Sequence, residues 1–448
     1  MTVRTRFAPS PTGHVHIGNI RAAIYNWLFA RHEGGTFLLR IEDTDRERST
    51  PEAVQTVLEA MQWLGLNWDE EPLHQSTRTP AHLAAAEKLL SAGHAYRSDK
   101  GATGAGEAVV FRMPGTDMSF HDEIKGYLHK KADDIKDFVI VRSNGTPVFH
   151  LANVVDDIHL GITHIIRGDD HVENTYRHVA LFRALGAPAP KYAHLPMIVN
   201  AQGKPYSKRD GAAYVGDFRE KGFLADALFN YLALLGWSPG GDREVLSRDE
   251  MIRLFTLDRV QSSAAQMDLR KLEWMNGVYM RALPKETLRA GCRGLLEKRG
   301  LWSGGAGDDY LARVVEVMDE RLHFYTDIAD GAGFFFTEDY ACDEKAVQKR
   351  LGKAGAPDLL RELAGRFAGL ERFAADELEK TLRAMAEEKG VGAGELVHPV
   401  RVAVSGRGEG PSLFHMLEVL GRERVLARIE KTLARFGGAG GGERSGRP

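Results

Sequence analysis

The sequence predicts an α/β domain that is interrupted by an inserted module and followed by an all-helical C-terminal third. Strand-like and helix-like patterns alternate in residues 1–78 and again in residues 149–238. Residues 79–148 lose this alternation and carry a glycine-rich stretch and a charged run. After about residue 239 only amphipathic helical patterns recur. These three observations define the fold class.

The first element is a strand–helix–strand unit. A short strand pattern at residues 3–7 leads into a Pro/Gly turn cluster, and residues 17–28 then place apolar side chains at helical spacings of three and four. Residues 36–41 have the β-branched and aromatic content of a buried strand, which we expect to be parallel to the first. A helix that begins at Pro51 covers this sheet.

The later elements follow from the same patterns. A strand at residues 162–167, the segment Gly168-Asp169-Asp170-His171 and a helix ending near Gly186 re-enter the sheet. In the C-terminal third, residues 376–389 and 422–436 each carry one apolar stripe, as amphipathic helices do.

Composition excludes several classes of protein. The 59 basic and 62 acidic residues give a net charge of -3, so total charge does not point to nucleic acid. The two cysteines, Cys292 and Cys342, form no cluster with histidine, which argues against a disulfide framework and a zinc site. No secretion signal or run of about 18 apolar residues is present, so we expect a cytoplasmic protein without a membrane span. Residues 437–448, with six glycines, should be disordered.

The loop after the first strand is the first candidate for chemistry. A loop of small residues that leads into a helix N-terminus is where phosphate binds in βαβ units, and residues 9–18 occupy this position. The loop matches neither the G-x-G-x-x-G nor the G-x-x-x-x-G-K-[ST] pattern, which disfavours NAD enzymes and P-loop ATPases. It carries His14 and His16 instead. A single histidine here could also simply cap or pack against the helix.

A second loop, residues 203–211, is bounded by glycines and contains the three cations Lys204, Lys208 and Arg209. This composition suits the neutralisation of charge on a triphosphate and on departing diphosphate. The alternative is a solvated surface turn.

Together these loops resemble two signatures of the class I aminoacyl-tRNA synthetases. His16-Ile17-Gly18-Asn19 is similar to the HIGH signature, and Pro205-Tyr206-Ser207-Lys208-Arg209 is similar to the KMSKS signature. The segments 7–13, 40–45 and 153–157 resemble the glutamyl-tRNA synthetases within that class, and the likeness runs from about residue 4 to residue 436.

The resemblance implies a domain organisation. It predicts a Rossmann-like catalytic domain in two halves, 1–78 and 149–238, split by a shortened tRNA-acceptor-binding module at 79–148. A helical connector that contacts the tRNA stem would follow at 239–300, and a helical anticodon-binding region at 301–436.

The same resemblance implies site residues. For glutamate it implies Arg6, Ala8, Ser10, Glu42, Phe149, Asn153 and Arg167. For ATP it implies His16, Gly18, Asn19, Asp170, Ile198, Ser207, Lys208 and Arg209. His16 and Lys208 would be catalytic, because they would stabilise the transition state, and Arg321 would contact an anticodon base. Alternatively, Asp169 or Asp170 caps the helix that follows. Charge provides an independent argument for an acidic amino acid as the substrate. Arg6 and Arg167 match its two carboxylates in charge, and Glu42 matches its ammonium group.

The activity implied by the resemblance is ATP-dependent attachment of L-glutamate to tRNA(Glu) through a glutamyl-adenylate, with release of AMP and diphosphate. It implies ATP with Mg²⁺, no zinc and a monomer. Charging of tRNA(Gln) with glutamate stays open as an addition, and a tRNA-binding paralogue without charging activity stays open as an alternative. A glutaminyl enzyme is disfavoured by the lack of a strand-rich C-terminal half, and a small nucleotidylyltransferase would not need the C-terminal third.

The sequence departs from the family pattern at two positions of the site. Pro205 replaces the first lysine of the KMSKS signature, which puts the geometry of that loop in question. Phe149 stands where the family has a tyrosine, so a hydroxyl donor worth about 1 kcal/mol is missing and we expect weaker glutamate binding.

Overall fold

The computed structural model describes residues 2–11, 13–45, 49–99, 106–305, 307–353 and 355–436. The chain divides into two compact units, 1–275 and 276–448. The predicted disordered segment, 437–448, lies outside the described residues. Within the described ranges, no helix is both long and apolar enough to span a lipid bilayer.

The first unit contains strands and helices. Its strands are β1 (Arg4–Phe7), β2 (Thr36–Ile41), β3 (Leu73–His74), β4 (Ala95–Ser98), β5 (Ala108–Phe111), β6 (Met118–Asp122), β7 (Gly126–Lys130), β8 (Phe138–Val141), β9 (His164–Gly168), β10 (Lys191–Leu195), β11 (Ile198–Val199) and β12 (Ala265–Gln266). Its helices are α1 (Ile17–His32), α2 (Pro51–Trp63), α3 (Thr79–Ser91), α4 (Phe149–His159), α5 (Val172–Ala184), α6 (Val215–Glu220), α7 (Ala225–Leu234), α8 (Arg248–Leu254) and α9 (Leu269–Ala282), which contains the division between the units.

The predicted strand–helix–strand unit is confirmed. β1 and β2 are parallel, with Arg4 opposite Thr36, and α1 connects them. The apolar stripe of α1 is fully buried, and Thr50 caps α2 by accepting from the backbone N–H of Ala53 at 3.2 Å. The backbone N–H of Thr163 donates to the carbonyl of Arg4 at 3.0 Å and so joins the chain before β9 to β1.

The order of the strands reverses between β1 and β9. One sheet has the order β1-β2-β3, and the other has the order β7-β6-β10-β9 with β10 parallel to β9. The strands after β1 therefore run to one side and the strands after β9 run to the other. In open α/β sheets, ligands bind at the carboxyl ends of the strands at such a reversal.

Part of the predicted insertion joins this sheet. Residues 79–148 contain a separate antiparallel sheet, β4-β5-β8, but their β6–β7 hairpin pairs with the catalytic sheet, because Asp122 of β6 lies opposite Tyr192 of β10. β9 begins at His164, two residues later than the strand pattern predicts. A pairing between strands separated by about 70 residues has no local signature, which is why the sequence did not predict it.

The expectation that only helices follow residue 239 is wrong in one detail. β12, only two residues long, pairs in parallel with β11, with Ala265 opposite Ile198. A strand of this length is too short to produce a periodic pattern.

The second unit, as described, is helical. After α9 come α10 (Lys285–Lys298), α11 (Asp308–Met318), α12 (Thr326–Ala332), α13 (Glu344–Leu351), α14 (Ala356–Ala368), α15 (Ala375–Lys389), α16 (Gly394–Ser405), α17 (Leu413–Leu420) and α18 (Arg422–Phe436). α15 and α18 confirm the two predicted apolar stripes within one residue. Leu363, Val400 and Ile429 are buried where α14, α16 and α18 pack together.

Candidate functional site

The candidate site is a cavity of about 630 Å³ at the carboxyl ends of β1, β2, β9 and β10. The predicted residues that line it are Arg6, Ala8, Ser10, His16, Gly18, Asn19, Glu42, Phe149, Asn153, Arg167, Asp170 and Ile198. Ser207, Lys208 and Arg209 lie in the neighbouring loop and are not among the described residues that line the cavity. The cavity therefore occupies the position that the strand-order reversal favours for a ligand.

His16 caps the helix at the edge of this cavity. Its Nδ1 accepts the backbone N–H of Gly18 at 3.1 Å, so the proton of the neutral ring is on Nε2. Burial lowers the pKa of His16, and the backbone of Tyr206 opposes that shift. His16 therefore caps the helix through Nδ1, as the alternative from the sequence predicted. The N–H at Nε2 is the hydrogen-bond donor of the ring.

The two motif loops are tied together by backbone hydrogen bonds. The N–H of Ile17 donates to the carbonyl of Ala213 at 2.9 Å, and the N–H of Val215 donates to the carbonyl of Val15 at 3.0 Å. Tyr214 lies between Ala213 and Val215 in the chain, and the centroid of its ring is 5.9 Å from that of the His16 ring. The end of the cation-rich loop is therefore fixed beside the first motif.

Pro205 fits the geometry of the cation-rich loop. It lies opposite Val199 in an antiparallel bridge. The flanking bonds run from Tyr206 N to the Ile198 carbonyl at 2.9 Å, and from Asn200 N to the Lys204 carbonyl at 2.8 Å. Proline has no N–H, but neither of these two bonds requires one from residue 205. The substitution is therefore compatible with an ordered loop.

Asp210 closes the same loop from its other end. Its Oδ2 accepts from the backbone N and the Oγ of Ser207 at 2.9 and 3.0 Å. Its Oδ1 accepts from Nδ2 of Asn200 at 2.8 Å. Lys208 is exposed, and its Nζ lies 5.8 Å from the centroid of the Tyr214 ring. The lysine is thus placed beside the ring that also contacts His16.

A network of buried charged groups forms one wall of the cavity. Arg6 Nε and Arg40 Nη1 donate to the same oxygen, Asp157 Oδ1, at 3.0 and 2.6 Å. Glu42 Oε1 accepts from Arg40 Nη2 at 2.9 Å and from Asn153 Nδ2 at 3.0 Å. Burial alone would favour the protonated acid, yet Arg40 and Arg6 hold the pKa of Asp157 below its ordinary value. The Asp157 carboxylate is therefore ionised, and both carboxylates are held in place by these hydrogen bonds.

Arg167 lies in the cavity without a carboxylate partner among the described residues. Its Nε donates to His194 Nε2 at 3.3 Å, and its Nη2 donates to Thr175 Oγ1 at 2.7 Å and to the carbonyl of His171 at 3.3 Å. The residue is 8% exposed, and burial lowers its pKa to about 10. A buried guanidinium surrounded by neutral acceptors is a costly arrangement unless an anion joins it.

Arg167 differs in this respect from the two other arginines of the wall. Arg6 and Arg40 are paired with carboxylates, Asp157 for both and Glu42 for Arg40. A carboxylate of a bound ligand would give Arg167 the ionic partner that the described residues do not supply.

Phe149 is the first residue of α4, and its ring packs among three histidines. The ring centroids of His150, His171 and His178 lie 5.4, 6.0 and 5.7 Å from that of Phe149. Burial and then the charge of Arg177 lower the pKa of His150 to about 4, and burial lowers the pKa of His178 well below its ordinary value. This aromatic wall is therefore uncharged near neutral pH.

Asp170 lines the cavity and does not cap the next helix. α5 has His171 at its N-cap position without a side-chain cap bond, so the alternative that Asp169 or Asp170 caps this helix is wrong. Asp170 Oδ2 lies 3.6 Å from Nε2 of His171, and Asp169 instead accepts from Lys125 Nζ at 3.3 Å.

Several lining residues were not predicted, and Arg21 is the most notable of them. It is 3% exposed, donates from Nη1 to the carbonyl of Leu235 at 3.0 Å and also contacts the carbonyl of Pro196. Arg21 falls four residues after Ile17 and three before Ile24, on the apolar stripe of the helix. A charged residue at such a position is the sequence signal that could have identified Arg21 as a site residue. Asn174 and Tyr206 also line the cavity.

Arg321 belongs to the second unit. It ends the short helix Asp319–Arg321 and is exposed. Burial, and then the charge of Arg321, lower the pKa of Arg401.

Fold and cavity together define a class of enzyme, the class I tRNA synthetases. The family described as tRNA synthetases class I (E and Q), catalytic domain, matches residues 2–104 and 99–274, and the anticodon binding domain matches residues 288–433. The chain belongs to this E and Q family of class I synthetases, which confirms the family and the fold class expected from the sequence.

Two curated relatives and one solved structure are named for the same amino acid. The chain is 41% identical over 467 residues to glutamate–tRNA ligase 2 of Koribacter versatilis (strain Ellin345), with 96% of this chain and 97% of the relative covered. It is 41% identical to the glutamate–tRNA ligase of Geotalea uraniireducens (strain Rf4), with 96% and 98% covered. A crystal structure of a glutamate tRNA ligase from Elizabethkingia meningosepticum CCUG26117, in complex with its amino acid, matches with a TM-score of 0.87 at 30% identity and covers 97% of this chain and 100% of that one.

Proposed function

We propose that the chain attaches L-glutamate to tRNA(Glu), using ATP and a glutamyl-adenylate intermediate and releasing AMP and diphosphate. The observation that carries this proposal is the buried guanidinium of Arg167, which has no carboxylate partner among the described residues. Glutamate has two carboxylates, one for Arg6 and one for Arg167. Glutamine has only one carboxylate and would leave one of these arginines without such a partner, so this site favours glutamate.

The proposed amino-acid site uses the charged groups of the cavity wall. Arg6 and Arg167 hold the two carboxylates of the substrate, and Glu42 takes its ammonium group. Asn153 supports this arrangement, because its Nδ2 fixes Glu42 while its buried Oδ1 has no partner among the described residues and is free to accept from the ammonium. The pocket is completed by Ala8, Ser10 and Phe149.

The proposed ATP site consists of His16, Gly18, Asn19, Asp170, Ile198, Ser207, Lys208 and Arg209. In the first step a carboxylate oxygen of glutamate attacks the α-phosphorus in line, and the bond to diphosphate breaks. No protein nucleophile is required, so the rate depends on alignment and on stabilisation of developing negative charge. His16 Nε2–H and the N-terminus of α1 stabilise the phosphate, and Lys208 neutralises the departing diphosphate.

Mg²⁺ is proposed as part of the nucleotide substrate. Mg²⁺ is usually bound through substrate phosphates, waters and one or two carboxylates, so the phosphates of ATP would supply most of its ligands. Zinc has no part in the proposed mechanism.

In the second step a ribose hydroxyl at the 3′ end of the tRNA attacks the glutamyl carbonyl and displaces AMP. We propose that residues 79–148 bind the acceptor end, 239–300 contact the stem and 301–436, including Arg321, bind the anticodon. The match of residues 288–433 to the anticodon binding domain supports the last assignment. A cytoplasmic monomer completes the proposal, and size-exclusion chromatography with light scattering tests the oligomeric state.

Charging of purified tRNA tests the proposal. The full chain is assayed with glutamate, glutamine and aspartate on both tRNA(Glu) and tRNA(Gln). We expect glutamate on tRNA(Glu), and glutamate on tRNA(Gln) as well would define a non-discriminating enzyme. If no pair is charged, the enzymatic proposal is wrong.

A further inference from the structure

Asp122 and His194 form a fully buried pair next to Arg167. His194 Nδ1 lies 2.6 Å from Asp122 Oδ2, and both side chains are completely inaccessible. Arg167 Nε lies 3.3 Å from the other ring nitrogen of His194. Neither Asp122 nor His194 is among the described residues that line the cavity, and the mechanism proposed above uses neither of them.

The hydrogen-bond partners fix the protonation of this pair. A guanidinium nitrogen can only donate, so His194 Nε2 must accept from Arg167 and the ring proton must be on Nδ1. Asp122 Oδ1 accepts the backbone N–H groups of Ile124 and Lys125 at 3.0 and 2.9 Å, which leaves Oδ2 for His194. Burial opposes ionisation, yet the hydrogen bond from His194 and those N–H groups lower the pKa of Asp122.

The same assembly occupies one edge of the Arg167 guanidinium. Nε bonds to His194, and Nη2 bonds to Thr175 Oγ1, which itself lies 3.0 Å from His194 Nε2. Nη1 of Arg167 makes no hydrogen bond to any described group. Nη2 also donates to the carbonyl of His171 at 3.3 Å, so both of its N–H groups are in use. Nη1 is therefore the donor that remains available for a carboxylate, and its direction is set by the bonds of Nε and Nη2.

We propose that Asp122 and His194 are positioning residues for amino-acid selection, which orient Arg167 towards the substrate carboxylate. The inference rests on the proposed role of Arg167 in glutamate binding. It assigns a substrate-site function to strand β6, which belongs to the inserted segment 79–148 and not to either half of the catalytic domain as defined by sequence.

Two substitutions disrupt the assembly in different ways. His194→Leu removes the acceptor for Arg167. Asp122→Asn replaces an oxygen that only accepts with an amide that also donates, so the imidazole turns to the Nε2–H tautomer and presents a donor to the Arg167 donor. For both variants we expect the KM for glutamate in tRNA charging to rise about tenfold or more, because a hydrogen bond to a charged group is lost. The KM for ATP should stay within about twofold, since Arg167 does not belong to the proposed ATP site.

A conservative variant and a matched control separate positioning from stability. His194→Gln keeps an acceptor for Arg167 and a donor for Asp122, and should restore the KM for glutamate to within about threefold of the unaltered chain. His82 and Asp156 form a second buried pair in the same unit, 2.9 Å apart and fully inaccessible, with neither side chain among the described cavity residues. His82→Leu should lower the melting temperature as His194→Leu does and leave the KM for glutamate unchanged.

Arg167→Gln separates the proposed role of Arg167 in glutamate binding from the proposed positioning role of Asp122 and His194. If Arg167→Gln leaves the KM for glutamate unchanged, Arg167 does not bind the substrate and both proposals for it fail. If Arg167→Gln raises that KM but His194→Leu and Asp122→Asn do not, only the positioning inference fails. A rise with His82→Leu equal to that with His194→Leu would also overturn the inference, because the effect would then follow from lost stability.

Discussion

Asn200 and Asp210 are joined across the cation-rich loop by a hydrogen bond of 2.8 Å from Nδ2 to Oδ1. The same carboxylate accepts from the backbone N and the Oγ of Ser207. These bonds, first from Asn200 and then from Ser207, lower the pKa of Asp210. Asp210 therefore links the start of the segment that carries Lys208 to Asn200, in addition to the backbone bonds of the loop.

Replacing Asp210 should therefore impair catalysis without impairing amino-acid binding. Asp210→Ala removes three hydrogen bonds that order the loop, so Lys208 is no longer preorganised beside the Tyr214 ring. We expect kcat for charging to fall about tenfold or more, while the KM for glutamate changes less than about twofold. Asp242→Ala, an exposed aspartate of another loop in the same unit, is the control and should have no effect. An unchanged kcat for Asp210→Ala would contradict the proposed role of the loop.

The negative charge of Glu42, and not only the size of its side chain, should contribute to substrate binding. Glu42→Gln keeps the size of the side chain but removes the anion proposed to meet the substrate ammonium, so the KM for glutamate should rise about tenfold or more. Glu70→Gln is the matched control, because Glu70 is half-exposed in the same unit and pairs only at the surface with Arg4. Equal KM values for the two variants would argue against an ammonium site at Glu42.

The parts of the fold that the sequence predicted are those with local signals. β1, α1 and β2 were predicted because their patterns lie within about 40 residues, and the start of α2 was predicted because Pro51 marks it. The pairing of β6 with β10 was not predicted, since it joins segments about 70 residues apart and β6 itself sits in an irregular stretch.

The candidate site shows the same division. Arg6, Glu42 and Arg167 were found through motif likeness and charge, and all three line the cavity. The interactions that orient them were not found, because the distances from Asp157 to Arg6 and from Asp122 to His194 depend on tertiary packing. Whether Lys208 reaches the phosphates stays a prediction.

The tyrosine that Phe149 replaces should improve glutamate binding when it is restored. Phe149→Tyr adds one hydroxyl in the cavity, and a hydrogen bond from it would contribute about 1 kcal/mol, or roughly a fivefold lower KM for glutamate. Phe138→Tyr is the control, because Phe138 also contacts His150 but is not among the described residues that line the cavity. If Phe149→Tyr leaves the KM unchanged, the missing hydroxyl does not limit substrate recognition.

Stability should depend on pH through the histidines around Phe149. The pKa of His150 is lowered to about 4 by burial and then by Arg177, so the unfolded chain, in which the ring titrates near 6.5, binds more protons between these values. This ring therefore has no effect on stability well above pH 6.5, and it destabilises the folded chain progressively as the pH falls from 6.5 towards 4. The charges of Arg167 and His171 also disfavour protonation of this ring, and Nε2 of His178 lies 3.2 Å from its Nδ1.

Urea denaturation of the full chain at pH 7 and pH 5 measures this effect. Each unit of pKa difference corresponds to about 1.4 kcal/mol. Between pH 7 and pH 5, the free energy of unfolding of His150→Gln should therefore fall by about 1–2 kcal/mol less than that of the unaltered chain. His159→Gln changes an exposed histidine at the end of the same helix, α4, and should follow the unaltered chain. If His150→Gln and the unaltered chain lose equal stability, His150 is not held neutral by its surroundings, and the uncharged wall inferred for the glutamate pocket is wrong.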